Sequence, residues 1–507
     1  MDTIPANEQG SQPELFTAKL VEQARQAQTA WATCPLRERL AKVNRLRGLL
    51  TQRADHLCQL AREELGKAPQ DTLSADLLTL AEACKYLNGR AGSILASRRV
   101  SPLHNPWIYY GAKIAVERSP RGVVGIIGTW NYPYCLAGVQ MAQALVAGNA
   151  VVFKPSEFAH RCSALLVQLF LDAGFPAGVL QVLPHEREWG GHLAAAGIDH
   201  VVFTGSLPVG RLVAKAAADH LATSTLELSG CDPLLALDDA DPELVARSAW
   251  FGAVVNQGQT CVATRRVIGT RPFLKKVEGH LAELVQGVEP FTLVRSSEGV
   301  RALELAREAT SQGARLIGGV SLEADGAKGC PPLVLADVTP AMRVAREALF
   351  APVLSLVSAE SEADLATVER GSPLCLGASV FSARPERALA LAAQLRSPNI
   401  AINEVVIPLG HPATPIVARG ASGWGSTQGD EGLLELTVPR VIFQGGPSPG
   451  SFRPHLDLVP QGSKKAADMS ALLQALLNAG HHPSWWGRLQ ANLSLPAQAW
   501  RWWRNRG

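Results

Sequence analysis

Cys261 stands in the stretch Asn256-Gln257-Gly258-Gln259-Thr260-Cys261, with no second cysteine or histidine at disulfide or metal spacing. A lone cysteine is most often a small core hydrophobe. Here Gly258 lets the backbone come close to a ligand, and the run leaves the Cys261 amide free to donate to a developing oxyanion. Upstream, Leu226-Glu227-Leu228-Ser229-Gly230 sets one carboxylate in an otherwise apolar and small run. A thiol nucleophile needs a base supplied from elsewhere in the fold, and Glu227 is the candidate. The chemistry would be attack of sulfur on a carbonyl carbon, with amides holding the oxyanion and a carboxylate moving protons.

Such groups need a large frame. The chain has 507 residues, 47% of them hydrophobic and 18% charged, which describes a folded globular protein with more than one core. A net charge of +3 gives no electrostatic footprint for nucleic acid. Nine cysteines are scattered without C-x-x-C pairs or Cys/His zinc spacing, which suits a reducing compartment and predicts no bound metal. Residues 1–13 are polar and lack the basic and apolar regions of a secretory signal. No apolar run approaches the ~20 residues of a membrane span. A cytoplasmic protein is expected.

Residues 14–95 read as helices, with Leu40, Val43, Leu46, Leu49 and Leu50 at helical spacing. Residues 97–117 break this pattern and hold two extended segments, 107–110 and 113–116. Short apolar runs at 122–128, 150–153, 179–183 and 200–203 read as strands buried on both faces. Helices are expected between them at 135–147, 158–173 and 207–221. This alternation predicts a Rossmann-like, doubly wound parallel α/β sheet with its ligand site at the strand carboxyl ends. Trp130-Asn131, Lys154 to Glu157 and Gly205-Ser206 all fall at such ends. The turn at Gly205 and Gly210 opens a helix, whose free amides suit a pyrophosphate. A second α/β region follows to about residue 405, and residues 437–443 read as a late strand.

No G-x-G-x-x-G or P-loop motif is present. Four other motifs stand in order: Gly128-Thr129-Trp130-Asn131-Tyr132-Pro133, Lys154-Pro155-Ser156-Glu157, residues 203–210 with 226–230, and residues 256–261. Together they resemble the aldehyde dehydrogenase superfamily across residues 15–443, and G-T-W-N-Y-P is most similar to its class 3 and fatty aldehyde branch. The resemblance implies NAD-dependent oxidation of an aldehyde to its acid, with NADP as the alternative cofactor. An apolar aldehyde, long chains included, is expected. It gives Cys261 the role of nucleophile, Glu227 that of general base, and Asn131 that of oxyanion donor beside the Cys261 amide. Lys154 and Glu157 match the pair that holds the adenosine ribose, and Gly205 and Ser206 the turn beneath the dinucleotide. Trp130 belongs to the same cofactor-binding set, while Phe350 and Asn403 match positions near the nicotinamide. A carboxylate at 157 favours NAD, because it repels a 2′-phosphate. The implied division is a cofactor domain over 14–102 and 121–228, a catalytic domain over 229–436, and a small β oligomerisation element over 103–120 and 437–444. A homodimer or homotetramer is implied as well.

The pattern also departs from the family. Its usual E-E-I-F-G-P-V is Glu347-Ala348-Leu349-Phe350-Ala351-Pro352-Val353 here. The carboxylate that grips the nicotinamide ribose therefore falls on Ala348, and Glu347 is one residue off. Two other readings are a CoA-acylating dehydrogenase or acyl reductase, which would not need Glu227 for hydrolysis, and a catalytically lapsed scaffold. Residues 445–507 lie beyond the resemblance and include a helical patch around 466–478. They hold seven Lys or Arg against two Asp, and five of the eleven tryptophans interleaved with arginines. That mixture suits peripheral contact with a membrane interface, or docking onto the protein itself.

Overall fold

The structure, a computed structural model, describes residues 12–106, 109, 111–318, 321–406, 410–445 and 463–504. The extended segment expected over 107–110 lies outside the described residues except for Tyr109, as do residues 1–11, 446–462 and Arg506. The chain divides into two compact units, one running up to Ile94 and over Ser119–Val438, the other over Leu95–Arg118 and from Pro439 onward.

The apolar runs of the first unit form strands whose residues are buried throughout, as at Val123–Ile127 and Ala150–Lys154. Six strands make the first sheet, in the spatial order Gly423–Trp424, Thr223–Leu228, His200–Gly205, Val123–Ile127, Ala150–Lys154, Leu180–Val182. All neighbours are parallel except the first pair. The chain reverses its direction of travel across the sheet between Val123–Ile127 and His200–Gly205, and such a switch point opens a crevice at the strand carboxyl ends. The turns after Ile127 and Gly205 both leave from that edge. A second sheet of seven strands holds Asp232–Ala236 and Thr264–Thr270 at its centre. One of its faces packs on helix Ser296–Ser311, and the other on Pro242–Val254 and Arg271–Val285. The second α/β region read to about residue 405 is thus a sheet covered on both sides, and the helix expected over 207–221 ends at Asp219.

The helical region begins as four helices, Gln12–Thr33, Leu36–Gln52, Ala54–Leu65 and Thr79–Ile94. Between the last two lies a π-helical turn, Thr72–Leu78, a form that favours functional sites. Its Asp76 is fully buried against Lys67, Nζ to Oδ2 at 2.5 Å. Lys67 also donates to the Asn131 carbonyl at 2.9 Å and lies 4.0 Å above the Tyr132 ring centre. The other oxygen of Asp76 accepts the backbone N–H groups of Tyr134 and Cys135 at 3.2 and 3.0 Å. A carboxylate thereby caps helix Cys135–Ala147 from outside, where the helix dipole favours negative charge. That helix is apolar almost all round and buried on every side. It ends at Gly148, whose φ of 97° gives a left-handed cap.

In the second unit, Arg98–Arg99, Lys113–Pro120 and Thr437–Gln444 form a three-stranded sheet. Arg440 pairs with Glu117 at 2.7 Å. Two helices follow, Ser463–His481 and Trp485–Arg504. The helical patch expected over 466–478 is the first of these. The second was not foreseen, because five tryptophans and a proline at 496 obscure its periodicity. Among the described residues no helix is long and apolar enough to cross a membrane.

Lys67→Met should leave Asp76 as an uncompensated buried charge, a change that costs about 3–5 kcal/mol. A clear fall in the thermal unfolding midpoint is expected. Adding Asp76→Leu should restore only part of it, since the Tyr134 and Cys135 amides would still lack their acceptor.

Candidate active site

Helix Pro242–Val254 gives way to three successive residues in the left-handed region, Asn256 (φ 50°), Gln257 (φ 60°) and Gly258 (φ 75°). Non-glycine residues hold such angles only where their surroundings impose them. Here the Asn256 side-chain amide donates to the carbonyls of Asn131 and Gln259, both at 3.2 Å. The Gln259 side chain accepts from Val294 N–H at 2.9 Å and donates to the Asn256 carbonyl. Buried Arg265 donates to the carbonyls of Gly258 and Ala351. A Cβ at position 258 would stand 2.5 Å from the Ala351 backbone, so only glycine fits. This turn delivers the sulfur of Cys261.

Cys261 Sγ donates to Glu227 Oε1 at 3.6 Å. Glu227 comes from the inner end of strand Thr223–Leu228, and its second oxygen, Oε2, is buried with no hydrogen-bond partner among the described residues. Burial pushes the Glu227 carboxyl up to about 7, against the smaller effect of the thiol contact. Burial, with Glu227 and Asp232 nearby, holds the Cys261 thiol well above its ordinary value. At rest the site is a neutral thiol beside a carboxyl that titrates near neutrality.

Asn131 follows strand Val123–Ile127. Its Oδ1 accepts from the Thr129 hydroxyl at 2.9 Å, which turns the Nδ2 amide toward the Gln259 carbonyl at 3.1 Å. Tyr132 and Thr260 hydroxyls meet at 2.7 Å. Thiol and carboxylate, 34 residues apart in sequence, are therefore in contact, and the Asn131 amide reaches the backbone two residues before Cys261. A cavity of about 800 Å³ opens onto Cys261 and Glu227, walled by Leu78, Leu136, Phe251, Val255, Val406 and Ile416 among others. Its acidic wall residues are Asp71, Glu82 and Glu227, and no Lys or Arg lines it among the described residues.

The residues assigned to a dinucleotide form a second cluster. Lys154 is buried and pairs with the partly exposed Glu157 at 3.5 Å. Burial lowers its ammonium while Glu157 opposes that effect. The Trp130 ring lies edge-on to Phe158 and Phe350, with centroids 6.3 and 5.9 Å apart. Gly205 packs so tightly that a Cβ there would lie 2.5 Å from the Phe203 ring. Ser206 opens helix Leu207–Asp219 without spending its side chain as a cap. An uncapped helix start, a close glycine, a carboxylate beside a cation and two rings fit a dinucleotide. Gly210 has a different job: a Cβ there would meet Leu228 at 2.5 Å, so it serves helix–strand packing. Asn403 bonds both the N–H and the carbonyl of Ser382 at 3.0 Å, which makes it a turn support.

Ala348 brings no carboxylate, and Glu347 is held by Arg301 at 2.6 Å and Arg343 at 2.7 Å. Glu298 also lies at this corner, where it accepts the Phe350 N–H at 3.2 Å and pairs with Arg295 and Arg301 at 3.9 Å. Sequence reasoning missed Glu298, Lys67, Asp76 and Arg265, since none of them falls in one of the four motifs and a charged residue is ordinarily read as solvent-facing. The unusual pairing of a lysine behind Gly66 with a carboxylate nine residues on was the one available signal for Lys67 and Asp76.

The sequence pattern of the Aldehyde dehydrogenase family matches residues 11–442. The chain belongs to the aldehyde dehydrogenase family. It is 35% identical over 437 residues to a 4,4'-diapolycopene aldehyde oxidase of Methylomonas sp, covering 85% of this chain and 81% of that one. It is 30% identical over 431 residues to a putative NADP(+) succinate-semialdehyde dehydrogenase of Mycolicibacterium smegmatis, covering 83% and 82%. The crystal structure of PnpE from Pseudomonas sp. WBC-3 in complex with nicotinamide adenine dinucleotide superposes with a TM-score of 0.79 at 25% identity, over 87% of this chain and 92% of that one. The Rossmann-like sheet, the second α/β sheet and the small β element are the architecture of this dehydrogenase family.

A carboxyl buried to this degree ionises only as pH rises through about 7. Steps that use Glu227 as a base should therefore speed up across that range and level off above it. A pH–rate profile should show this limb in the native dehydrogenase and lose it in Glu227→Gln.

Proposed function

We propose that this dehydrogenase oxidises apolar aldehydes, long chains included, to carboxylic acids with NAD(P), and that Cys261, Glu227 and Asn131 carry the reaction. The observation that carries the substrate reading is the cavity of about 800 Å³ with an apolar wall that ends on the Cys261–Glu227 pair. Among the described residues no Lys or Arg lines it to meet a carboxylate-bearing aldehyde. The apolar wall and the G-T-W-N-Y-P turn also support placement in the class 3 and fatty aldehyde branch.

Glu227 takes the Cys261 proton as the aldehyde arrives, and sulfur attacks the carbonyl carbon. The resulting oxyanion accepts from Asn131 Nδ2 and the Cys261 N–H, donors of the kind whose loss costs about 10²–10³ in rate. Bound NAD(P) supplies the hydride acceptor. With the hydride gone, the acyl group remains on Cys261 as a thioester. Glu227, having passed its first proton to solvent, then removes a proton from the attacking water; the C–S bond breaks, the departing sulfur takes that proton back from Glu227 as the thiol is restored, and the acid leaves. Lys154 and Glu157 would hold the adenosine ribose, Gly205 and Ser206 the pyrophosphate, and Trp130 and Phe350 the nicotinamide end. The carboxylate of Glu157 favours NAD over NADP.

A CoA-acylating reading is less well supported, because it leaves the free oxygen of buried Glu227 without a task. The chemical pair argues equally against a lapsed scaffold. Assembly as a homodimer or homotetramer is our reading, with the sheet of Lys113–Pro120 and Thr437–Gln444 as the oligomerisation element. Residues 229–436 form the catalytic domain in this scheme, the first sheet and its helices the cofactor domain, and the setting is cytoplasmic with the tail in contact with a membrane.

NADH formation should rise in kcat/KM from butanal to hexadecanal and stay low for succinate semialdehyde. Equal use of the charged aldehyde would overturn the apolar reading. Cys261→Ala should remove turnover while NAD still binds. Glu227→Gln should slow turnover to a trickle, and any NADH burst it shows measures how far acylation proceeds without the base. Rescue of that variant by CoA would favour the acylating reading.

A further inference from the structure

Among the described residues, the helix Trp485–Arg504 has one face in use and one face without a partner. Its Ala491 is buried, with Leu472 and Met469 of helix Ser463–His481 also enclosed, as the two helices pack together. Trp486, Leu489, Leu493, Pro496, Trp500 and Trp503 recur at intervals of three and four, which places them within about 100° of the helix circumference. That stripe lies opposite Ala491. It is open to solvent: Trp486 is 65% exposed, Leu493 74%, Trp500 56% and Trp503 61%. Trp485 adds a fourth exposed indole, packed edge-on to Trp486 with centroids 4.7 Å apart. Exposed single hydrophobic residues need no explanation, but a continuous apolar stripe with tryptophans at both ends marks an interaction surface.

We propose that this stripe lies in the headgroup region of an anionic lipid bilayer and holds the enzyme on the membrane surface. The helix contains Arg488, Arg501 and Arg504 and no acidic residue. Arg504 stands over the Trp500 ring at 5.3 Å, a pairing of aromatic ring and guanidinium that suits the boundary between apolar and polar lipid regions. Tryptophan seats its ring at headgroup depth, and arginine extends its charge toward lipid phosphates. A second copy of the same helix is a poorer occupant, because two faces flanked by arginines would meet with no carboxylate between them. The helix is not apolar enough to cross, so it lies on the surface. This inference is independent of the oxidation chemistry.

The test uses the full chain and two kinds of vesicle, phosphatidylcholine alone and phosphatidylcholine with phosphatidylglycerol. The chain should sediment with the anionic vesicles and far less with the neutral ones, and binding should weaken as salt screens the arginines. Trp486→Ser combined with Trp500→Ser and Trp503→Ser should lower the bound fraction roughly ten-fold or more. Arg501→Gln with Arg504→Gln should lower anionic binding and flatten its salt dependence. Both variants should keep native activity on butanal, which reports folding and the reaction separately from lipid binding. Failure to sediment with anionic vesicles, or sedimentation that survives the tryptophan changes, overturns the proposal. So does a tryptophan variant that changes oligomeric mass by light scattering with vesicle binding intact, which would make the stripe a subunit contact.

Discussion

The contact between Lys67 and Asp76 is small and fully enclosed and has no chemical step of its own, yet the active-site turn depends on it. Lys67 holds the Asn131 carbonyl, and Asp76 holds the amides of Tyr134 and Cys135. The turn between them therefore has little freedom to move against the helix that follows. Its other side is fixed by the Asn256 amide and the Tyr132–Thr260 contact. Buried ion pairs are weak sources of net stability, because desolvation offsets most of the attraction. What this one contributes is position. An amide that has to meet a charge appearing for an instant on a substrate oxygen must already be in place, since rearrangement during the reaction would cost what the bond supplies.

Burial acts twice at the centre of the site. The same apolar wall that suits a hydrocarbon chain also desolvates Glu227 and raises its carboxyl toward neutrality. A carboxylate in water would be too weak a base to accept a proton from a thiol or a water molecule at useful speed. Substrate preference and basicity are thus two results of one environment, and a polar residue introduced into the wall would change both.

Much of this was legible in the chain. Strands buried on both faces show as unbroken apolar runs, and the residues with chemical potential stood at their ends, so Asn131, Lys154, Gly205 and Glu227 could be placed before any coordinates. Cys261 was legible through the glycine that precedes it. Lys67, Asp76 and Glu298 were not, because a charged side chain that turns inward has the same neighbours in sequence as one that faces water. Gly210 and Asn403 carry structural roles that their motif positions did not announce: Gly210 packs against Leu228, and Asn403 bonds the backbone of Ser382. The tail was legible as a composition of tryptophan and arginine. Its helical stripe was not, since the proline and the adjacent tryptophan pairs mask the repeat of three and four.

The protonated state of Cys261 also bears on the lifetime of the protein under oxidative stress. Peroxide and alkylating agents react with thiolates, and a thiol held well above its ordinary value presents very little of that form. Of the nine cysteines, seven are buried and only Cys34 and Cys261 are partly accessible. Burial and the nearby Glu38 carboxylate raise Cys34 as well. Between turnovers, then, neither accessible sulfur is an easy target for the first step toward sulfenic acid. The nucleophile is exposed to damage chiefly during the brief interval in which substrate calls it into its reactive form.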